Sequence, residues 1–302
     1  MKNHGSVKVS VIIPTYNRRD KLVRCLKSII GNGFEDLEII VVNDYPNEDL
    51  KDILRMSRRI RLIQNKIELL NAKSRMEGYN ISGGKFLFFV DDDNILENGA
   101  IGTLVKHLEN NYKIGLLSPL MFTIKGEIWY SGISVHKPFI LKNTWFHGEN
   151  IGTNTLIETD AVLNAYMIRR DVFLEVGGQD FMNFNMAHED VDLSLKVKFH
   201  GYKNYVCTTA RTTHDFDNIK SVTPVRLYYT VRNGTFLQYK YFPLIDFILY
   251  TLLYLPRKFV YNVLYFIPFK AAHNKIAMYK GYLKGVIDGF LAMGRIKRVK
   301  LV

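Results

Sequence analysis

An α/β fold with a doubly wound, mostly parallel sheet, followed by an apolar and basic helical appendage, is what this sequence predicts. Three observations carry the prediction. From Val7 to Val90, short runs rich in β-branched and aromatic residues alternate with amphipathic stretches, the order that builds parallel βαβ units. One run, Lys85 to Val90 (KFLFFV), is almost wholly apolar and stops at Asp91-Asp92-Asp93-Asn94. A strand covered on both faces looks like this where its carboxyl end opens onto a ligand crevice. The third observation is charge: residues 226–302 hold 13 Lys/Arg against 2 Asp/Glu, which leaves 28 against 27 for residues 1–225. The net charge of +12 therefore sits beside the most apolar sequence of the chain.

Taken in order, Val7 to Ile13 (VKVSVII) reads as a buried strand ended by Pro14-Thr15-Tyr16-Asn17-Arg18. Asp20 or Asn17 can cap the next helix, in which Leu22, Leu26 and Ile29 share one face, and Gly31-Asn32-Gly33 stops it. Leu37 to Val42 is a second strand, ended by Asn43-Asp44; Asp49 to Met56 is a short helix and Ile60 to Gln64 a third strand. A helix around Ala72 to Asn80 leads through Ser82-Gly83-Gly84 into the strand bearing the aspartates. Residues 120–157, with Trp129, Trp145 and His147, show little periodicity, as loops that shape pockets often do. Val191, Leu193, Leu195 and Val197 lead a helix ended by Gly201, and Tyr205 to Thr209 is a strand followed by His214.

Three adjacent carboxylates repel one another, so a cation or a ligand's hydroxyls normally accompany them. Their oxygens suit Mg²⁺ or Mn²⁺; a solvated acidic turn capping the next helix would use the same residues. Glu189-Asp190 opens a helix, where the dipole stabilises anions and keeps a general base ionised at neutral pH. The 47% apolar content indicates a folded chain, and 302 residues suffice for one catalytic domain with an appendage. Two cysteines, Cys25 and Cys207, without paired spacing argue against a disulfide framework or zinc site and fit a reducing compartment. The polar stretch from Met1 to Lys8 reads as no signal segment. No nucleic-acid, Ser-His-Asp or Walker pattern is present, so the basic quarter is expected to meet an anionic membrane and not nucleic acid.

Val9-Ser10-Val11-Ile12-Ile13-Pro14-Thr15-Tyr16-Asn17-Arg18, Ile40-Val41-Val42-Asn43-Asp44 and Phe88-Phe89-Val90-Asp91-Asp92-Asp93 resemble the opening half of a family 2 glycosyltransferase. Ala165 to Arg170, Gly177-Gly178 and His188-Glu189-Asp190-Val191-Asp192-Leu193 resemble its acceptor half, and Tyr228-Tyr229 with Arg232-Asn233 its rhamnosyltransferase-like branch. The resemblance runs over roughly residues 7–240. It implies a GT-A (Rossmann-like) fold, a nucleotide-diphosphate sugar donor, a glycan or lipid-linked acceptor, a divalent metal and inversion at the anomeric carbon. Carried onto this sequence, Asp93 coordinates the metal with Asp91, and Asp92 reaches the ribose or a metal-bound water. Pro14, Thr15, Tyr16, Asn17 and Arg18 line the donor, with Tyr16 against the base and Arg18 at the diphosphate. Asn43, where the family usually has Asp, accepts from the base beside Asp44. Arg75 belongs to a loosened form of the family's glycine-arginine-asparagine segment. Asp190 takes the acceptor's proton, Glu189 binds an acceptor hydroxyl, and His214 meets the metal or diphosphate, although Asp215-Phe216-Asp217 replaces the usual continuation. A non-catalytic nucleotide-sugar or glycan binder of the same fold is the alternative; it would have no need of Glu189-Asp190.

These readings divide the chain into a catalytic domain, 1–240, with a donor half (1–118) and an acceptor half (119–240), and a tail, 241–302. Tyr241 to Phe269 carries only Asp246, Arg257 and Lys258 as charges, and Pro256-Arg257-Lys258 splits it into apolar pieces of 12 and 11 residues. Both fall short of the roughly 18 to 20 residues that cross a bilayer. Two helices in the interface, or a shallow re-entrant hairpin, are expected, with Tyr241, Tyr250, Tyr254, Tyr261 and Tyr265 at headgroup depth. Lys270, Lys275, Lys280, Lys284, Arg295, Lys297, Arg298 and Lys300 would then hold anionic lipid at the cytoplasmic face of the cell membrane. An apolar hairpin packed on the domain, or forming a homodimer, is the other expectation.

Overall fold

β1 (Val9–Thr15) is buried along its whole length and divides its side chains between two cores. Val9, Val11 and Ile13 share one with Leu22, Cys25, Leu26 and Ile29 of α1 (Arg19–Ile30), while Ile12 belongs to the other. That is the two-residue period of a strand covered on both faces. In this computed structural model, which describes residues 7–136, 140–143, 155–215, 223–270, 274–295 and 298–299, β1 lies between β2 (Leu37–Asn43) and β4 (Phe86–Val90), both parallel to it. β3 (Ile60–Gln64) adds to β2 in parallel, after a 3₁₀ turn at Lys51–Arg55, and α2 (Asn71–Ile81) crosses back to β4.

The second half is mixed. β5 (Asn94–Leu96), α3 (Ala100–Asn110), β6 (Ile114–Thr123), β7 (Ile128–Tyr130) and the hairpin β8 (Ile133–His136)–β9 (Ile140–Asn143) come first. β10 (Leu156–Thr159), β11 (Ala165–Arg169), α4 (Arg170–Glu175), α5 (Glu189–Phe199) and β12 (Lys203–His214) follow. β11 inserts antiparallel between β4 and β6, β12 runs parallel to β6, and the main path is β10-β12-β6-β11-β4-β1-β2-β3.

Several local expectations are corrected. Arg18, not Asp20 or Asn17, occupies the cap position of α1, because Asn17 is spent on a left-handed turn at φ 51°. The expected helix at Asp49–Met56 is only the 3₁₀ turn, and residues 120–157 contain β7, β8 and β9, each too short to show a period. β12 continues past Thr209 to end on His214 itself, after a register shift between Cys207 and Arg211. Trp145, His147, Phe216 and Asp217 lie outside the described residues.

Gly78 seats α2 on the sheet. A Cβ there would stand 2.5 Å from Ile12 Cγ2 and 3.2 Å from Val42 Cγ2, so the helix would have to lift off β1 and β2. Gly78→Ala should therefore cost about 1–3 kcal/mol, as overpacking usually does, read as a lowered urea midpoint at unchanged slope. A midpoint equal to that of the parent would show that the helix can rise freely.

α6 (Pro224–Tyr241), N-capped by Thr223, leads into the tail. There α7 (Leu244–Leu249), a π-helical segment (Tyr250–Tyr254), α8 (Leu255–Tyr261) and a second π-helical segment (Asn262–Lys270) follow one another without a break. Pro256 thus does not end the helical path: its missing N–H falls where the π-helical segment passes into α8, while Arg257 and Lys258 still interrupt the apolar run. α9 (Lys275–Leu291) packs back on α6, and Leu227, Val231, Ile267, Met278 and Tyr282 make a small separate core. No helix among the described residues is long and apolar enough to cross a membrane.

Candidate active site

The carboxyl ends of β1 and β4 and the amino end of α5 converge on one acidic cluster. Asp92 is fully buried; its Oδ2 accepts from Thr15 Oγ1 at 2.7 Å, and Arg18 Nη2 lies 2.5 Å from its Oδ1. Burial pushes its carboxyl up to about 7 against the opposing charge of Arg18. Arg18 Nη1 also donates to Asp93 Oδ2 at 2.9 Å. Asp93 Oδ1 faces His214 Nε2 at 3.3 Å; burial works to raise its carboxyl, but His214 and Arg18 outweigh it and hold the group below the usual range. His214 is in turn positioned by Asn164, whose Nδ2 is 3.0 Å from Nε2, and by the Trp129 ring at 4.2 Å.

Asp91 turns the other way. Its Oδ1 accepts from Arg75 Nη2 at 2.6 Å. Arg75 is fully buried, and its Nη1 donates to Asp190 Oδ1 and, at 3.2 Å, to the Tyr166 hydroxyl. One guanidinium therefore joins the end of β4 to the start of α5. Tyr166 itself donates to Asp190 Oδ1 at 2.9 Å and accepts from Gln179 Nε2 at 2.7 Å, while Asn164 N–H donates to Asp190 Oδ2 at 3.2 Å. Glu189 Oε1 accepts from Asn71 Nδ2 at 2.7 Å, and its Oε2 is buried without a hydrogen-bond partner among the described residues. Burial and the neighbouring Asp190 push the Glu189 carboxyl up to about 7. Two residues on, fully buried Asp192 is met by Lys240 Nζ and the Tyr241 hydroxyl, both at 2.7 Å, and by Lys196 at 3.2 Å.

The structure thus brings together Thr15, Arg18, Asp91, Asp92, Asp93, His214, Arg75, Glu189 and Asp190. It sets Asn43 apart. That residue is fully buried, donating to Glu48 O and Gln64 Oε1 and accepting from Tyr45 N–H, so it has no exposed atom for a base. Asp44 is likewise spent on Asn65 and on the backbone N–H groups of Leu69 and Leu70. Both hold the loop that leads to α2. Pro14 is a buried β1 residue paired with Val42, whereas Tyr16 is 42% exposed and packs edge-on against Tyr45 at 5.1 Å, leaving an aromatic face to solvent.

Trp129, Asn164, Tyr166, Gln179 and Asn71 were not assigned to the site from sequence, since only the fold brings them to it. One signal does mark it. Asn17, Leu70, Asn164, Ala187 and His188 are the non-glycine residues with positive φ among the described residues. Asn17, Leu70, Asn164 and His188 each border a site side chain or supply a hydrogen bond to one, and Ala187 precedes His188, the clustering expected where backbone strain is kept for a purpose.

No cluster of three or more metal-ligating side chains is assembled among the described residues. Asp93 and His214 nevertheless offer a buried carboxylate oxygen and an imidazole nitrogen to one spot, and that oxygen lacks a well-formed hydrogen bond. This donor pair fits Mg²⁺ or Mn²⁺ completed by substrate phosphates. Asp91 does not join them as predicted, because Arg75 holds it.

The chain matches the family model described as Glycosyl transferase family 2 over residues 10–177. It is 33% identical over 206 residues to the poly(ribitol-phosphate) beta-N-acetylglucosaminyltransferase TarP of Staphylococcus aureus, covering 65% of this chain and 62% of that one. It is 37% identical over 111 residues to the GalNAc(5)-diNAcBac-PP-undecaprenol beta-1,3-glucosyltransferase of Campylobacter jejuni, 35% of this chain and 36% of that one. It thus spans less than two thirds of the length of these relatives. Its fold is similar to that of S. aureus TarS residues 1–349 (TM-score 0.57, 17% identity, 93% of this chain and 80% of that one). It is also similar to GalNAc-T7 solved with UDP, GalNAc and Mn²⁺ (TM-score 0.62, 18% identity, 76% and 48%). A GT-A-type mixed sheet, an aspartate cluster at its strand ends and a family match over more than half the sequence agree: the chain belongs to glycosyl transferase family 2.

Proposed function

We propose that this protein transfers a sugar, with inversion, from a nucleotide-diphosphate donor to a hydroxyl of a glycan or lipid-linked acceptor. The observation that carries the reading is the Arg75 bridge, which fixes the donor-side carboxylate Asp91 and the acceptor-side carboxylate Asp190 on one guanidinium. The acceptor oxygen attacks the anomeric carbon, the bond to the diphosphate breaks, and the electron pair leaves with the nucleoside diphosphate. Asp190 takes the acceptor proton on Oδ2, the oxygen that Arg75 and Tyr166 leave unengaged; a base oriented by a third group is the common arrangement. Glu189 Oε2 receives an acceptor hydroxyl. A bound Mg²⁺ or Mn²⁺, held by Asp93 and His214, would neutralise the diphosphate. Arg18, paired with Asp92 and Asp93, brings a guanidinium to the same strand ends, and Tyr16 with Tyr45 offers the nucleotide base a stacking surface.

The exposed apolar side chains of the tail, among them Leu244, Ile245, Leu252, Leu253, Leu264 and Phe269, support association with the cytoplasmic face of a membrane. The acceptors named for the relatives, a polyprenyl-diphosphate glycan and a poly(alditol phosphate), point to cell-envelope polysaccharide synthesis. A panel of nucleotide sugars tested with and without Mn²⁺ should give one that raises the melting temperature and is slowly hydrolysed, both abolished by chelator. Stabilisation without hydrolysis under every metal condition would favour a binding protein and sink the catalytic reading.

A further inference from the structure

A cavity of about 190 Å³ lies between α6, the His188 end of α5 and the tail, outside the site just described. Its lining includes His188, Gln238, Phe242, Tyr250, Tyr254 and Lys258. Lys258 has no carboxylate partner among the described residues; its Nζ lies 5.8 Å from the Tyr254 ring, its charge acts on His188, and burial lowers its pKa. A half-buried ammonium without a counter-ion is poised for an anion. Gln238 supports the same reading. It is 7% exposed, and its Oε1 is buried without a hydrogen-bond partner among the described residues. Since the amide's oxygen and nitrogen are interchangeable by rotation, the unused atom becomes a donor for an oxyanion.

The surroundings select the kind of anion. On either side of Lys258 the tail exposes Leu252 (65%), Leu253 (62%), Phe259 (40%) and Val260 (52%), a grouping of apolar surface that marks a lipid or membrane contact. At the opposite wall, His188 is followed directly by Glu189, with successive Cα atoms about 3.8 Å apart. Asn233 keeps that wall in place by donating to the carbonyls of Met186 and Ala187 at 2.8 and 2.9 Å. An anion in the cavity would therefore lie between the segment that bears the exposed apolar side chains and His188, the residue before Glu189.

We propose that this cavity is the subsite for the phosphate of a lipid-linked acceptor, with Lys258 as its counter-cation, Gln238 as a donor and the exposed tail face holding the lipid chain. The proposal rests on the glycosyl-transfer reading for its direction, since it places the first acceptor sugar towards Glu189 and Asp190. It assigns no chemistry to Lys258, which touches neither donor nor base.

The test uses the full chain and farnesyl diphosphate as probe, with farnesol and inorganic pyrophosphate as controls, by isothermal titration calorimetry. Farnesyl diphosphate should bind more tightly than either control. Lys258→Met should weaken it at least roughly thirtyfold, the low end for removing one partner of a buried charge pair, without changing farnesol affinity or lowering the melting temperature. Lys258→Arg should restore most of the binding. Equal affinity of the parent and Lys258→Met for farnesyl diphosphate would overturn the proposal, as would pyrophosphate binding as tightly as the prenyl compound, which would mean a free-phosphate site. Nucleotide-sugar binding measured in the same preparation separates the two readings: its loss would refute the transferase and leave a Lys258-dependent diphosphate site standing.

Discussion

Arg75→Met should abolish sugar transfer and cost about 3–5 kcal/mol of stability, the range for removing one member of a buried ion pair. The side chain is fully buried between Asp91 and Asp190, and Asp91 already has its carboxyl raised, chiefly by burial and against the pull of Arg75. Without the guanidinium, two neighbouring carboxylates, Asp190 buried and Asp91 22% exposed, repel each other and must protonate or part. Either response removes the base from its position. Arg75→Lys keeps the charge but not the fork, so it should recover part of the stability and little of the activity. Urea unfolding and a transfer assay on both variants check this. A Met variant within about 1 kcal/mol of the parent would show that the bridge contributes no more than an exposed ion pair.

Asp190→Asn should lower kcat by roughly 10²–10⁴-fold, the usual contribution of a general base. The amide retains an oxygen for Arg75 and Tyr166, and Asp91 still opposes the guanidinium, so the chain should stay folded at reduced stability while donor affinity changes little. A fall in donor affinity as large as the fall in kcat would make Asp190 a structural residue of the Arg75 network. Glu189→Gln is the comparison: the neighbouring residue is exposed to the same 6% but its side chain accepts from Asn71 and not from Arg75.

The first half of the fold was legible because β1, β2 and β4 are apolar runs bounded by turns, and because the aspartates stand where a parallel strand ends. The acidic pair on α5 was legible for a local reason, its place before a periodic apolar run. The Arg75 network was not. Its partners lie 16, 91 and 115 residues away, and no local pattern records such pairs. Asn43-Asp44 misled because a polar pair at a strand end serves a ligand or a turn equally well, and here it serves the turn. Pro256 misled similarly, since a proline usually breaks or kinks a helical run, whereas here the run continues with π-helical segments on either side of α8. The short strands β7 to β9 fall below the length at which alternation can be seen.

Asp192 joins α5 to the root of the tail through Lys240 and Tyr241, the last two residues of α6. The seam between the two parts of the protein is therefore knotted, not hinged. A chain shortened to end at residue 240 would lose the Tyr241 hydroxyl and leave a dry aspartate beneath α5 with fewer donors. Soluble versions intended for crystallography or for acceptor screening should keep Tyr241 and Phe242, both buried against the domain, and begin their deletion beyond Pro243. The same knot means that anything gripping the tail has a short mechanical path to the base.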